Sequence, residues 1–245
     1  MNASHTGHST MTIRRAADRG HTDIGWLKSW HSFSFGEYFD PANVQFKALR
    51  VINDDMVAPG RGFGMHAHRD MEIVTVVLAG ELAHRDSLGH GATLRPGEVQ
   101  VMSAGTGIRH SEMNPSATDP VHLIQIWIMP EQAGQAPRYD QREFPAELRR
   151  GRLCQVAAGG NDATANAMEI GQHGSIFVGS FGNGEKAAHT IAAGRAAYMH
   201  VATGSALVNG ALLHAGDAAT IEQASAATIE GTASGGEVIV FDLPA

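Results

Sequence analysis

The chain has 245 residues, 18 Lys and Arg against 25 Asp and Glu, a net charge of −7, and 14 His. Its basic residues stand in small groups such as Arg14-Arg15 and Arg149-Arg150-Gly-Arg152, which argues against nucleic-acid binding through a concentrated positive face. No run approaches the ~20 apolar residues of a membrane-spanning helix, and the single cysteine, Cys154, excludes an internal disulfide and fits a reducing compartment.

Residues 1–10 (MNASHTGHST) are small and polar without periodicity and read as a disordered extension. They hold no apolar stretch of the secretory type, so the cytoplasm is the expected compartment. Beyond them, short β-branched runs are separated by Gly, Pro, Asn and Asp. They are Ala48–Ile52, Ile73–Leu78, Leu123–Ile128, Ser175–Val178, Tyr198–Val201 and Glu237–Phe241. This spacing predicts an all-β barrel or sandwich rather than βαβ units. Pro130–Arg152, rich in proline and charge, reads as a linker with a short helical turn at 145–150. After it, Asn209-Gly210 between Ala206–Val208 and Ala211–Leu213 is a two-residue hairpin turn. The second half therefore reads as a second barrel of the same type, with His173, His189, His200 and His214 isolated from one another.

Two short pieces carry the chemistry. His66-Ala-His68 follows Gly60, Gly62 and Gly64, and His110-Ser-Glu112 follows the loop Ala104–Gly107. Residues two apart on a strand share a face, so two such strands side by side gather three imidazoles and a carboxylate. A lone HxH in so histidine-rich a chain carries little weight, and the context supplies the rest. Three neutral imidazoles and one carboxylate with open positions suit Fe(II), and equally Mn, Ni, Cu or Zn. The lack of thiolates speaks against a closed structural zinc. Glu72 competes with Glu112 for the fourth position; strand parity favours Glu112 beside His110 and leaves Glu72 to orient an imidazole N–H. His84, in Glu81–Asp86, is a candidate neighbour or pocket residue. His90 lies between glycines in an expected exposed turn, and His122 is expected to hydrogen-bond within the barrel. Phe33, Phe35, Tyr38, Phe63, Met65 and Trp127 adjoin the motifs and are candidate liners of an apolar slot. Ideal parity turns Phe63 and Met65 away from the ligands.

Together these motifs resemble those of the cupins, and most closely of the pirin family. The cupin first motif, GxxxxxHxHxxxE followed by Gly, is matched from Gly60 to Gly80. The second departs from the usual cupin form, because four residues rather than two separate Gly105 from His110. The stretch AGTGIRHSE (Ala104–Glu112) looks like the pirin version. Gly25–Phe35 and His122–Ile128 continue the match, which covers most of 11–145.

The resemblance implies two jelly-roll cupin barrels: a metal-binding N-terminal domain over 11–135, a linker at 136–152, and a C-terminal domain over 153–245 without metal. It implies His66, His68, His110 and Glu112 as ligands, with iron favoured. The implied activity is that of bacterial pirin-like quercetin 2,3-dioxygenases, which cleave a flavonol with O2 and release carbon monoxide, with Glu112 as catalytic proton acceptor. Neither nucleic acid nor membrane is an expected partner. Other pirins are described as transcriptional co-regulators, so the alternative is a protein that senses the metal's redox state and binds a protein partner. A non-oxidative cupin reaction such as sugar isomerisation is a third reading.

Overall fold

The computed structural model describes residues 10–160 and 163–245. Residues 1–9 of the expected extension lie outside the described residues, and Thr10 opens the strand Thr10–Arg14. Strands dominate; the α-helix among the described residues is one turn, Ala146–Arg149, within the predicted 145–150 segment. Among the described residues, no helix is long and apolar enough to cross a membrane.

The chain forms two compact units that interleave along the sequence. One comprises Arg19–Leu148 with Gln155–Ser175. The other comprises the described residues up to Asp18, Arg149–Cys154 and Ile176–Ala245. These boundaries differ from 11–135 and 153–245, since 155–175 joins the unit of the N-terminal half.

The first unit is built on two antiparallel sheets. A seven-stranded sheet runs in the order Arg138–Glu143, Glu98–Ser103, Glu72–Ala79, Val121–Ile128, Leu49–Val57, Leu27–His31, Gly20–Asp23. A four-stranded sheet runs Gly62–His68, Ile108–Met113, Leu82–Asp86, Gly91–Leu94. The expected linker thus holds a strand: Arg138–Glu143 pairs in register with Glu98–Ser103, from Arg138 opposite Ser103 to Glu143 opposite Glu98. It closes one end of the sheet, and its charged side chains suit an edge.

Apolar side chains from the two sheets meet in two clusters. Val57, Val77, Val121 and Leu123 of the larger sheet pack with Leu82 and Leu94 of the smaller. Ile73 and Met102 pack with Ile108 in the other. Each such fully buried side chain contributes roughly 1.5–3 kcal/mol against its exposed state.

In the second unit, Thr10–Arg14, Ala218–Glu222, Arg195–Val208, Ala226–Pro244 and Ser175–Phe181 lie side by side in that order. Met199, Val201, Leu213, Ile221, Ile229 and Val240 fill its core. The predicted hairpin is present: Val208 pairs with Ala211 across Asn209 (φ 47°) and Gly210 (φ 80°). Positive φ at both positions is the requirement of the type I′ turn. His189 of this unit donates to Asp242 over 2.6 Å.

Candidate metal centre

His66 and His68 lie on Gly62–His68, and His110 and Glu112 on the adjacent Ile108–Met113. The register sets His110 opposite His66 and Ile108 opposite His68. The three imidazoles form a triangle with ring centroids 4.5–4.9 Å apart, and one nitrogen from each lies within 4.8 Å of the others. His66 Nδ1 donates to the carbonyl of Gly64 over 2.7 Å, which leaves Nε2 as the ring nitrogen turned toward the other imidazoles. That nitrogen faces His110 Nε2 at 3.1 Å.

Burial, reinforced by the neighbouring imidazoles, pushes His110 down to about 3 and His68 down to about 4. Both rings are therefore neutral at pH 7, as a metal ligand must be. Converging ring nitrogens, the neutral rings of His68 and His110 and a nearby carboxylate make this donor set fit for a divalent transition metal.

Glu112 belongs to an adjoining set with His110 and His84, whose donor atoms again lie within 4.8 Å of one another. Its carboxylate is fully buried and held from the larger sheet. Gln125 Nε2 donates to Oε2 over 2.7 Å, and Gln100 Nε2 (3.2 Å) and Thr75 Oγ1 (3.4 Å) donate to Oε1. These donors belong to one row, with Gln100, Thr75, Gln125, Asn53 and His31 directly opposite one another across five strands. The row lies between the two apolar clusters and turns a polar layer toward the smaller sheet.

Glycine sets the approach of the strands Gly62–His68 and Ile108–Met113. A Cβ on Gly62 (φ 157°) would lie 2.2 Å from the Glu112 carbonyl oxygen and 2.7 Å from Met113 Cα. Gly62→Ala is expected to push these strands apart, costing roughly 1–3 kcal/mol, the usual range for overpacking. Urea unfolding beside metal analysis checks both consequences: lower stability and lower metal content in the same variant.

Comparison with known proteins adds to this geometry. Residues 11–128 match the Pirin family model, and residues 156–243 match that of the quercetinase C-terminal cupin domain. The chain is 45% identical over 232 residues to a protein of Escherichia coli K12 named quercetin 2,3-dioxygenase, covering 95% of this chain and 98% of that one. The chain belongs to the pirin family. The crystal structure of YhhW from Escherichia coli superimposes with a TM-score of 0.89 at 44% identity, over 96% of this chain and 98% of that one. A second structure, bacterial pirin YhhW in complex with nickel(II), gives a TM-score of 0.87 at 43% identity, over 96% and 99%. The expected all-β bicupin architecture holds.

Two expectations about residues around the centre of this pirin are corrected. Glu72 does not orient an imidazole: its Oε2 accepts from Ser103 Oγ over 2.7 Å, and Gly171 adds a backbone hydrogen bond. Parity is the reason, because Glu72 shares the face of Val74 and Val76, opposite that of Thr75. Burial pushes its carboxyl up, against these hydrogen bonds.

Phe63, expected to turn away, instead sits opposite Glu112, because a register shift between His110 and Glu112 breaks the alternation. Its ring lies 6.5 Å from that of His66. Met65 does turn out to solvent.

His84 is buried with its ring 5.3 Å from His110, and Nε2 reaches Asp86 at 3.4 Å. Desolvation pushes it down. Trp127 stands edge-on to His68 at 4.9 Å and to Phe35 at 5.4 Å, and its Nε1 donates to Gln125 Oε1 over 3.3 Å. His90 is exposed and stacks on Tyr139. His122 hydrogen-bonds Asp54 over 2.7 Å, as expected. Phe33 is a core residue, and Tyr38 packs over Gly20.

Proposed function

We propose that this pirin is a metal-dependent dioxygenase that cleaves flavonols such as quercetin. Its metal would be held by His66, His68, His110 and Glu112, with iron(II) as the working ion. The observation that carries this reading is the convergence of three imidazoles beside a buried, triply hydrogen-bonded carboxylate. The 45% identity to a protein named quercetin 2,3-dioxygenase supports the substrate class.

When bound, a divalent metal lowers the pKa of a coordinated enol oxygen and brings O2 to the same centre. The protein does the remainder. Glu112 accepts the proton of the flavonol 3-hydroxyl, the task of a positioned general base. Gln125, Gln100 and Thr75 keep that carboxylate in place while it does so. The aromatic rings of Phe35, Phe63 and Trp127 keep water from the reacting ring. Overall, one flavonol and one O2 give one carbon monoxide and one depside ester, with two carbon–carbon bonds of the central ring broken.

O2 uptake by iron-loaded protein in the presence of quercetin tests the reading. Wild type is expected to consume O2 with flavonol, and Glu112→Ala to lose about 10²–10⁴-fold in rate, the usual worth of a positioned acid or base. Equal loss of quercetin under air and under nitrogen would overturn it.

Gln125 offers a finer check. Gln125→Leu removes the shortest donor to Glu112 and is expected to weaken metal binding about 10–100-fold, as loss of an outer hydrogen-bond partner does. Competition with a chromophoric chelator measures it.

A further inference from the structure

A cavity of about 330 Å³ opens beside the centre, within the first unit, a size that lies within the usual range for small-molecule sites. Leu27, Phe35 and Phe63 are among its apolar walls; Asn53, Asp55 and Gln125 are among its buried polar lining, and Glu37 stands exposed at its edge. Gln125 is shared with the centre through its 2.7 Å bond to Glu112, and Phe35 through its edge contact with Trp127. An aromatic ring lying here adjoins the carboxylate end of the site.

Most of the polar groups on this side are committed. Asn53 Oδ1 is bonded to His31 Nδ1 over 2.8 Å. Gln125 is engaged at both ends, with Glu112 and Trp127. Asp55 differs. It is 2% exposed, Ser29 serves its carboxyl with a hydrogen bond, and Oδ1 has no partner. It stands in register with Leu123 on one side and Ser29 on the other, in a row that is otherwise apolar toward the centre of the sheet. A carboxyl oxygen without a partner is costly to bury unless something fills its hydrogen-bonding capacity.

We propose that Asp55 is a specificity-determining residue of the substrate cavity, where its carboxyl hydrogen-bonds phenolic hydroxyls on the ring of a polyhydroxylated aromatic substrate. The proposal rests on the dioxygenase reading above and deepens it. A phenol both donates and accepts, and burial that pushes Asp55 up to about 7 leaves it able to do either near neutrality. Aromatic walls with one buried carboxyl oxygen left without a partner suit a flat hydroxylated ring better than an unsubstituted one. A site whose hydrogen-bonding group is left unpaired discriminates against the analogue that lacks the partner.

Quercetin and 3-hydroxyflavone separate the two readings, since both carry the 3-hydroxyl and carbonyl and only quercetin carries hydroxyls on the outer rings. Their Kd values are measured by calorimetry under nitrogen on zinc-loaded protein, so that no turnover intervenes. Wild type is expected to bind quercetin at least tenfold more tightly. In Asp55→Ala that ratio is expected to fall to within about twofold of one, while Asp55→Asn, which keeps the shape and one acceptor, retains part of it. A ratio unchanged in both variants, or equal weakening of both flavonols, would overturn the role of Asp55 alone. Failure of wild type to bind either flavonol would overturn the dioxygenase reading, and this proposal with it.

Discussion

Replacing His66 with alanine is expected to abolish stoichiometric metal binding and leave the fold intact. The side chain is half-buried on the smaller sheet, so its removal opens no core cavity of the kind that costs several kcal/mol. Its loss takes away the nitrogen that faces His110 Nε2 at 3.1 Å. Removing a direct donor should exceed the roughly 10–100-fold that loss of an outer partner costs in affinity. Metal analysis after dialysis is expected to read about one equivalent for wild type and a small fraction of that for the variant. Circular dichroism of the two should coincide. Full metal content in His66→Ala would place the ion elsewhere.

The second large effect concerns Asp55. Burial holds its carboxyl at about 7, against 3.8 for an ordinary aspartate. Between those values the folded protein keeps a proton that the unfolded chain has released, so this group's contribution to stability falls as pH rises through the window. At about 1.36 kcal/mol for each unit of pKa, the whole effect is on the order of 4 kcal/mol above pH 7. Asp55→Asn carries no such proton. Its stability relative to wild type is therefore expected to increase from pH 5 to pH 8 by about 2–3 kcal/mol. The buried histidines respond in the opposite direction, because His110 and His68, held at about 3 and 4, favour the unfolded state as pH falls below 6.5. For this reason the comparison is made between wild type and variant at each pH, by urea unfolding of metal-free protein. A difference that stays flat with pH would mean that Asp55 is ionised and solvated throughout.

Local pattern accounts for much of what was legible in the residues. The strand rhythm, the Asn209-Gly210 turn and the pairing of two i, i+2 donor motifs depend on near neighbours, and each corresponds to an observed feature. The convergence of His66, His68 and His110 follows from alternation on two adjacent strands. Phe63 breaks that alternation through a register shift that no local signal announces.

The groups that hold Glu112 are not legible from local pattern, for a different reason. Thr75 in Ile73-Val-Thr-Val-Val, Gln100 in Val99-Gln-Val and Gln125 in Leu123-Ile-Gln-Ile are each a single polar residue inside an apolar strand. That is a usable signal, because a buried polar side chain needs a partner. Their common purpose emerges only when register aligns them in one row, and register is set by contacts far apart in sequence. Arg138–Glu143 escaped because an edge strand with charged residues on both faces has no apolar period to read. Glu72 follows His68 closely in sequence, yet parity within Glu72–Ala79 sends it to the face opposite Thr75.

The most direct test of the central claim is the yield of carbon monoxide for each quercetin consumed by iron-loaded protein under air. One carbon monoxide for each flavonol and each O2 is the predicted result. Quercetin consumed without carbon monoxide, or not consumed by protein carrying a full complement of metal, would contradict the assignment of this centre to flavonol ring cleavage.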